Sequence, residues 1–524
     1  MIQEVFMSER IKNLIDGEWV DSASGKTFDS INPADTSEVI GIVPGSGKDD
    51  VDRAVDAARK AYETWRLMPA PRRGEIIFRA AELLLKRKQE LGALVTREMG
   101  KVLTEGLGDV QEAIDMAYYM AGEGRRLSGE TVPSELPNKD CKSIRVPIGV
   151  FALITPWNFP TAIPAWKIFP ALVCGNTVVF KPSSYTPVCA TKLVEILVEA
   201  GIPKGVINLV HGTGEDVGEY LATHPGIDGL SFTGSTAVGE RLARICGPDR
   251  EISCEMGGKN AIIVMDDGNL ELAVEGAIWG GFGTTGQRCT AASRIVVHHL
   301  VYERFLDMFT KAASRLKLGN GLLKTTDVGP LINEAQMKKV LDYIEIGKKE
   351  GARLVIGGKA LSTPPLPQRE TLPSHPLPQG EGRGEGGVLR GYFIEPTIFA
   401  DVDPEMRIAQ EEIFGPVVSV IKAKDLNDAV RIVNGVKYGL SSSIYTQDVN
   451  GSAAAERELD TGIVYINAST IGAEIQLPFG GTKKSGLGHR EAGGRGGALD
   501  MFTKWKVIYR DYSGKLQKAQ IDKG

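Results

Sequence analysis

The chain reads as an α/β protein of two domains, each built on a mostly parallel sheet, and three observations predict this. From Gly149 onward, short β-rich runs alternate with helical stretches, the pattern of a parallel sheet with helices on both faces. A second such series runs from about Leu270 to about Glu458. With 524 residues, the chain can bury large cores without disulfide or metal staples.

The first 130 residues predict an edge segment followed by helices. In Asp50–Trp65 the apolar residues Val51, Ala54, Val55, Ala58, Ala61, Tyr62 and Trp65 share one helical face, with Asp49 and Asp50 at the N-terminal end. Ile76–Val95 reads as a second long amphipathic helix. The first α/β series then offers strands at Val150–Ile154, Thr177–Phe180, Val206–Val210, Ile227–Phe232 and Ala261–Met265. Helices are expected between them at Thr161–Leu172, Val188–Ala200, Glu215–Thr223 and Thr236–Cys246. Leu361–Gly387 is different. It carries six prolines, repeats itself as PLPQRE and PLPQGE, and ends in a Gly/Glu/Arg tail. Proline blocks both helix and ladder hydrogen bonds, so a disordered surface insertion is expected over 361–387.

Composition excludes several function classes. Sixty-one basic against 66 acidic residues, interspersed along the chain, leave a net charge of −5, without the basic stripe that nucleic acid requires. No apolar run reaches the length of a membrane span. The six cysteines form no CxxC pair and no zinc spacing, and so few thiols in so long a chain fit a reducing compartment. With no signal-peptide pattern at the N-terminus, a cytoplasmic protein is expected, with Met7 an alternative start to Met1. Glycine is enriched, 62 in 524 against a usual ~7%, and it clusters in short motifs.

Those motifs carry the candidate chemistry. Cys289, in Gly286-Gln287-Arg288-Cys289-Thr290, follows a predicted helix and several glycines that let backbone approach a ligand. A thiolate is the best side-chain nucleophile toward a carbonyl carbon, and adjacent Arg288 is expected to favour the ionised form. Thr155-Pro156-Trp157-Asn158-Phe159-Pro160 directly follows a strand, where such sheets place their sites, and the Asn158 amide suits a developing oxyanion. Glu255 follows a β-like run and precedes Gly257 and Gly258, which suggests a carboxylate turned into a cleft, able to act as a base toward water. Two glycine turns link strand to helix. His211-Gly212-Thr213-Gly214 misses the dinucleotide spacing by one, whereas Thr233-Gly234-Ser235-Thr236 offers backbone N–H groups and hydroxyls suited to a pyrophosphate.

In order along the chain, TPWNFP, VVFKPSS, FTGSTAVG, EMGGKNA, GQRC, EEIFGPV and PFGGTKKSG resemble the aldehyde dehydrogenase superfamily. The likeness extends from Ile15-Asp16-Gly17-Glu18-Trp19 to Lys484-Ser485-Gly486. It implies a Rossmann-type cofactor domain over 1–130 and 150–256 and a catalytic domain over 257–465. A small bridging β element that mediates oligomers is implied over 131–149 and 498–515. It further implies Cys289 as nucleophile, Asn158 with the Cys289 N–H as oxyanion hole, Glu255 as general base and Glu491 as a proton-relay carboxylate. Thr155, Pro156, Trp157, Lys181, Ser183, Ser184, Gly214, Gly234, Ser235, Glu412 and Phe414 would contact NAD or NADP, and Arg288 and Thr290 would line the aldehyde pocket. No metal is implied, and the partners expected are a small aldehyde and further copies of the chain, as a dimer or tetramer.

Two finer expectations follow from the resemblance. NAD-preferring relatives commonly carry a Glu three residues after the lysine at Lys181. Here Ser184 stands in that place, so NADP, whose 2′-phosphate a carboxylate would repel, is expected to be accepted. Arg288 beside the nucleophile predicts a short anionic aldehyde, such as a dicarboxylic semialdehyde or glyceraldehyde 3-phosphate; the alternative is that Arg288 only lowers the thiol pKa or pairs with a nearby acid. The rival readings are a coenzyme-A-acylating enzyme, which would lack Glu255, and a non-catalytic binding protein, which would lack Cys289 or Asn158.

Overall fold

The computed structural model describes residues 8–361, 391–518 and 520–521. All of 361–387 except Leu361 lies outside the described residues. The first sheet has five parallel strands: β1 (Val150–Ile154), β2 (Thr177–Lys181), β3 (Ile207–Leu209), β4 (Gly229–Thr233) and β5 (Glu251–Glu255). Their order is β5-β4-β1-β2-β3, extended by Asn13–Ile15 and Glu18–Val20 beyond β3 and by Gly486–Leu487 beyond β5. The chain leaves β1 toward β2 on one side and reaches β4 on the other. The switch point therefore lies between β1 and β4, where α/β sheets hold ligands beyond the strand C-termini. Every residue of β1, β2 and β4 is buried, as a sheet covered on both faces requires.

Helix α1 (Lys48–Trp65) packs directly on β1, β2 and β3, while α2 (Ala70–Lys86), α3 (Lys88–Met99) and α4 (Leu103–Glu123) form an outer layer against the helices Ala162–Cys174 and Pro187–Glu199. The single helix expected over Ile76–Val95 is two. Arg87 leaves helical geometry at φ −102°, ψ 10°, and its guanidinium is drawn 2.5 Å from the Glu199 carboxylate. The helix expected at Glu215–Thr223 opens as a π-helical turn over Gly214–Glu219 before Tyr220–Thr223. Helices α5 (Ala162–Cys174), α6 (Pro187–Glu199) and α7 (Thr236–Cys246) lie within two residues of their expected bounds.

The strand expected at Ala261–Met265 as part of the first series opens the second sheet instead. That sheet holds β6 (Asn260–Val264), β7 (Ala292–His298), β8 (Thr397–Ala400), β9 (Val417–Ala423), β10 (Ser441–Tyr445) and β11 (Ile463–Ile466), all parallel. Their order is β8-β9-β7-β6-β10-β11, with antiparallel Arg353–Ile356 beyond β8. Helix α8 (Leu270–Phe282) packs on it and leads into the nucleophile loop. A separate antiparallel sheet joins Glu130–Pro133, Lys139–Pro147 and Thr503–Asp511. The last two pair from Pro147 opposite Thr503 to Lys139 opposite Asp511. No helix among the described residues is long and apolar enough to cross a membrane.

Candidate active site

Cys289 lies at the end of a constrained loop. Thr284, Thr285 and Gly286 all adopt left-handed backbone geometry, φ 51°, 58° and 67°. For β-branched threonine this costs about 1–3 kcal/mol each. At Gly286 any side chain is also excluded, because a Cβ would stand 2.2 Å from the Gly415 carbonyl oxygen. Surrounding bonds hold the strained turn. The Thr284 N–H donates to Glu105 Oε1 at 2.8 Å, Thr285 Oγ1 donates to the Gly329 carbonyl, and Gln287 bonds to Thr284, Pro330 and Ile332. Asn260 Nδ2 then pins the Cys289 carbonyl at 2.6 Å.

The Asn158 loop reaches the same place from the end of β1. Asn158 Nδ2 donates to the Gln287 carbonyl at 3.0 Å, which leaves its second amide hydrogen free beside the nucleophile loop. Helix α4 fastens both loops. Glu105, Asp109 and Glu112 recur at spacings of four and three, on one helical face. Asp109 Oδ1 caps α5 through the Thr161 and Ala162 N–H groups, and its other oxygen meets the fully buried Lys101 ammonium at 3.1 Å. That ammonium lies 3.7 Å from the centre of the Phe159 ring.

Glu255 ends β5, buried, and accepts the Gly481 N–H at 3.3 Å. A Cβ at Gly480 would stand 2.3 Å from its Oε1, so only glycine leaves the carboxylate its place. Burial, reinforced by the neighbouring Glu491 carboxylate, pushes Glu255 well above the usual carboxylate range. Glu491 is itself buried, ion-paired with Lys167 and bonded by Thr233 Oγ1 at 2.8 Å, while Lys167 Nζ also donates to Ser231 Oγ at 2.7 Å. Sequence reasoning missed Lys167, although a lone lysine inside the apolar run Ala162–Cys174 is the kind of signal that marks a buried pair.

Cys289, Glu255, Glu491, Arg288 and Thr290 line one cleft of about 620 Å³, counted out to its mouth, together with Phe159, Trp166, Phe479 and Glu112. Arg288 does not activate the thiol as expected. Its Nε donates to Thr284 Oγ1 at 2.8 Å and its Nη2 meets Glu105 Oε1 at 3.2 Å, with the guanidinium held between the Phe159 and Trp279 rings. The thiol is instead pushed up to about 12, by burial and by the carboxylates of Glu412, Glu255 and Glu491.

The cofactor candidates gather beyond the C-terminal ends of β1, β2 and β4. Thr155 and Gly234 flank the switch point, and Ser235 is the N-cap residue of α7. One buried hydroxyl here, Thr155 Oγ1, has no hydrogen-bond partner among the described residues. Such an orphan fits a polar ligand laid across the switch point. Lys181 Nζ donates only to the Pro182 carbonyl, at 2.9 Å, and burial lowers it to about 8. Ser184 Oγ donates to the Gly212 carbonyl, Ser183 Oγ accepts the Tyr185 N–H, and Gly214 opens the π-helical turn with open space around it. From the second sheet, Glu412 accepts the Gly258 N–H at 3.0 Å. Phe414, held at φ 61°, meets Trp157 edge to face, with ring centres 5.4 Å apart. Pro156 lies between Thr155 and Trp157 in the same loop.

A parallel sheet with a dinucleotide-type switch point, a cysteine and a buried glutamate lining one cleft, and an amide bonded to the cysteine's loop define an oxidoreductase that works through a covalent thiol adduct. The chain belongs to the aldehyde dehydrogenase family: residues 19–371 and 375–508 match the model described as "Aldehyde dehydrogenase family". It therefore oxidises aldehydes with a nicotinamide cofactor, NAD or NADP. It is 42% identical over 498 residues to an alpha-ketoglutaric semialdehyde dehydrogenase of Bacillus subtilis, covering 95% of this chain and 97% of that one. It is also 42% identical to an alpha-ketoglutarate semialdehyde dehydrogenase of Haloferax volcanii, covering 97% and 100%. A crystal structure of betaine aldehyde dehydrogenase from Staphylococcus aureus in complex with NAD+ superposes with TM-score 0.88 at 35% identity, covering 96% of both chains.

Proposed function

We propose that the chain oxidises a short anionic semialdehyde to the corresponding dicarboxylic acid, using water rather than coenzyme A. The observation that carries the reading is the meeting of Cys289 and Glu255 in one cleft that Arg288 also lines, with the Asn158 amide bonded to the nucleophile loop at Gln287. The Cys289 thiol gives its proton to solvent water, and Sγ, as the thiolate, adds to the aldehyde carbon. The free Asn158 amide hydrogen and the Cys289 N–H hold the oxyanion. Bound NAD or NADP supplies the acceptor for the hydride that leaves the former aldehyde carbon. What remains on Cys289 is a thioester, and Glu255 takes a proton from the water that hydrolyses it. Glu491, with Lys167 and Thr233, offers the next station for that proton.

Thr155, Pro156, Trp157, Lys181, Ser183, Gly214, Gly234, Ser235, Glu412 and Phe414 would hold the cofactor. With a serine hydroxyl at Ser184 and the free hydrogens of Lys181, the site accommodates a 2′-phosphate, so we assign NADP as accepted. Arg288 Nη1 makes no hydrogen bond among the described residues and is the donor left for the substrate's anionic end, with Thr290 beside the nucleophile. This supports the substrate class, as do the semialdehyde names of the relatives. We divide the chain into domains over 1–130 with 150–256, 257–465, and 131–149 with 498–515; the two large sheets and the sheet joining Lys139–Pro147 to Thr503–Asp511 support this division, with Gly486–Leu487 crossing to the edge of the first large sheet. The exposed Trp505, Val507 and Tyr509 on the three-stranded antiparallel sheet of Thr503–Asp511 support a homo-oligomer. A cytoplasmic location accords with the six free thiols.

Initial rates for a panel of aldehydes, each with NAD and with NADP, test the reading. We expect 2,5-dioxopentanoate or another dicarboxylic semialdehyde to give the highest kcat/KM, NADP to be used, and Arg288→Leu to raise KM for the anion and narrow its lead over a neutral aldehyde of equal length. Hexanal or benzaldehyde exceeding every anionic candidate would overturn it.

A further inference from the structure

The cleft carries one carboxyl group that the proposed chemistry does not use. Glu112, on the cleft face of α4, lines the same wall as Arg288 and Cys289, is half-buried, and makes no hydrogen bond or ion pair among the described residues. We infer that Glu112 determines specificity by protonation: as the neutral acid it donates a hydrogen bond to the carboxylate at the far end of the substrate, so that the anionic aldehyde binds together with one proton. The inference rests on the anionic-substrate reading above and deepens it.

The charges around the cleft lead to this reading. Arg288 is matched by Glu105, and Lys101 by Asp109, so those four groups sum to zero. An ionised Glu112 would make the wall net negative, and a substrate carboxylate would then meet repulsion in a site shielded from water. A protonated Glu112 leaves the wall neutral and adds an O–H donor to the cleft that Arg288 also lines. The two donors together match the two oxygens of a carboxylate.

The surroundings of Glu112 favour the proton. Burial, followed by the Asp109 carboxylate on the same helix, pushes it up to about 7, against the opposing pull of Arg288 and Lys101. Asp115, also on α4, pushes in the same direction as Asp109. From β11, the phenol of Tyr465 faces both Glu112 and Cys289, and its hydroxyl donates to the Gly472 carbonyl at 2.7 Å. A second negative charge arriving with the substrate raises Glu112 further, so binding draws the proton in.

The test is the ratio of kcat/KM for 2,5-dioxopentanoate to that for pentanal, measured from pH 6 to 8.5. The thiol and Glu255 titrate identically for both substrates and cancel in the ratio, as does the fraction of active enzyme. In the wild type the ratio is expected to hold at low pH and to fall above about pH 7, approaching about tenfold per pH unit. In Glu112→Gln the amide donates at every pH, so the ratio stays within about threefold of the low-pH wild-type value and is flat. In Glu112→Ala the ratio at pH 6.5 drops about tenfold, mainly through KM for the anion. A wild-type ratio that favours the anion but does not change with pH overturns this inference and leaves the anionic-substrate reading standing. The same pH slope in Glu112→Gln, or an unchanged ratio in Glu112→Ala, does likewise. Wild type that prefers pentanal or betaine aldehyde at every pH overturns both.

Discussion

Replacing Glu255 by Gln keeps the side chain's shape and its acceptor toward the Gly481 N–H while removing its capacity to take a proton. Thioester formation does not need that capacity, whereas hydrolysis does. Glu255→Gln is therefore expected to release about one equivalent of reduced cofactor per active site in a rapid burst and then stall, a result that stopped-flow absorbance reads directly. Full steady-state turnover in this variant would remove Glu255 from the role. The sign of the pH effect follows from the same group. Its carboxyl is held above the ordinary range by burial and by Glu491, so at low pH it carries its proton and cannot serve as base. Hydrolysis should accelerate as pH rises until Glu255 is ionised, and that rising limb should be absent from Glu255→Gln. Cys289→Ala, by contrast, should lose dehydrogenase activity altogether while cofactor binding, followed by fluorescence titration, is retained.

At the scale of elements, the insertion and α4 illustrate what a sequence does and does not disclose. Ala360–Leu361 and Phe393–Ile394, which flank residues 362–390, pair as an antiparallel ladder with Leu361 opposite Phe393. A chain whose two ends already meet there needs only a tight turn between them. Replacing 362–390 by a short Asn-Gly-containing turn is thus expected to shift Tm by no more than about 2 °C and to leave kcat/KM within about twofold. A larger fall in calorimetric Tm would show that the segment contributes to the fold. Strands β1 to β4 were legible because each is a short β-rich run bounded by glycine or proline, whereas β5 showed only as a β-like run before Glu255 and the edge strands were not seen. Cys289, Asn158, Glu255 and the cofactor turns were legible because their motifs are local. Glu105, Asp109 and Glu112 were not, since helical spacing on a polar stretch looks like an ordinary solvated face, and only packing shows that the face turns inward. That Arg288 pairs with an acid was one of the readings its sequence position left open, but which acid was not legible: Glu105 lies 183 positions away. The break at Arg87 likewise depends on a contact with distant Glu199.

For the molecule as a whole, the small antiparallel sheet exposes Trp505, Val507 and Tyr509 at 51%, 57% and 67%, alternate residues on one face. In the homo-oligomer proposed above, this apolar row is the surface that another copy covers. Val507→Asp combined with Tyr509→Asp should lower the mass measured by light scattering to that of a smaller assembly, while an unchanged mass would place the contact elsewhere. The left-handed pair Thr284–Thr285 carries a different consequence for the entire chain. Strain kept next to a nucleophile is stability the protein forgoes, and selection for heat resistance alone would find it: Asn or Gly at either position relieves the backbone. Variants recovered by such a screen should melt higher and turn over more slowly, because the relaxed turn no longer fixes the direction of the thiol. Natural selection for catalysis and laboratory selection for durability would thus pull these two threonines in opposite directions.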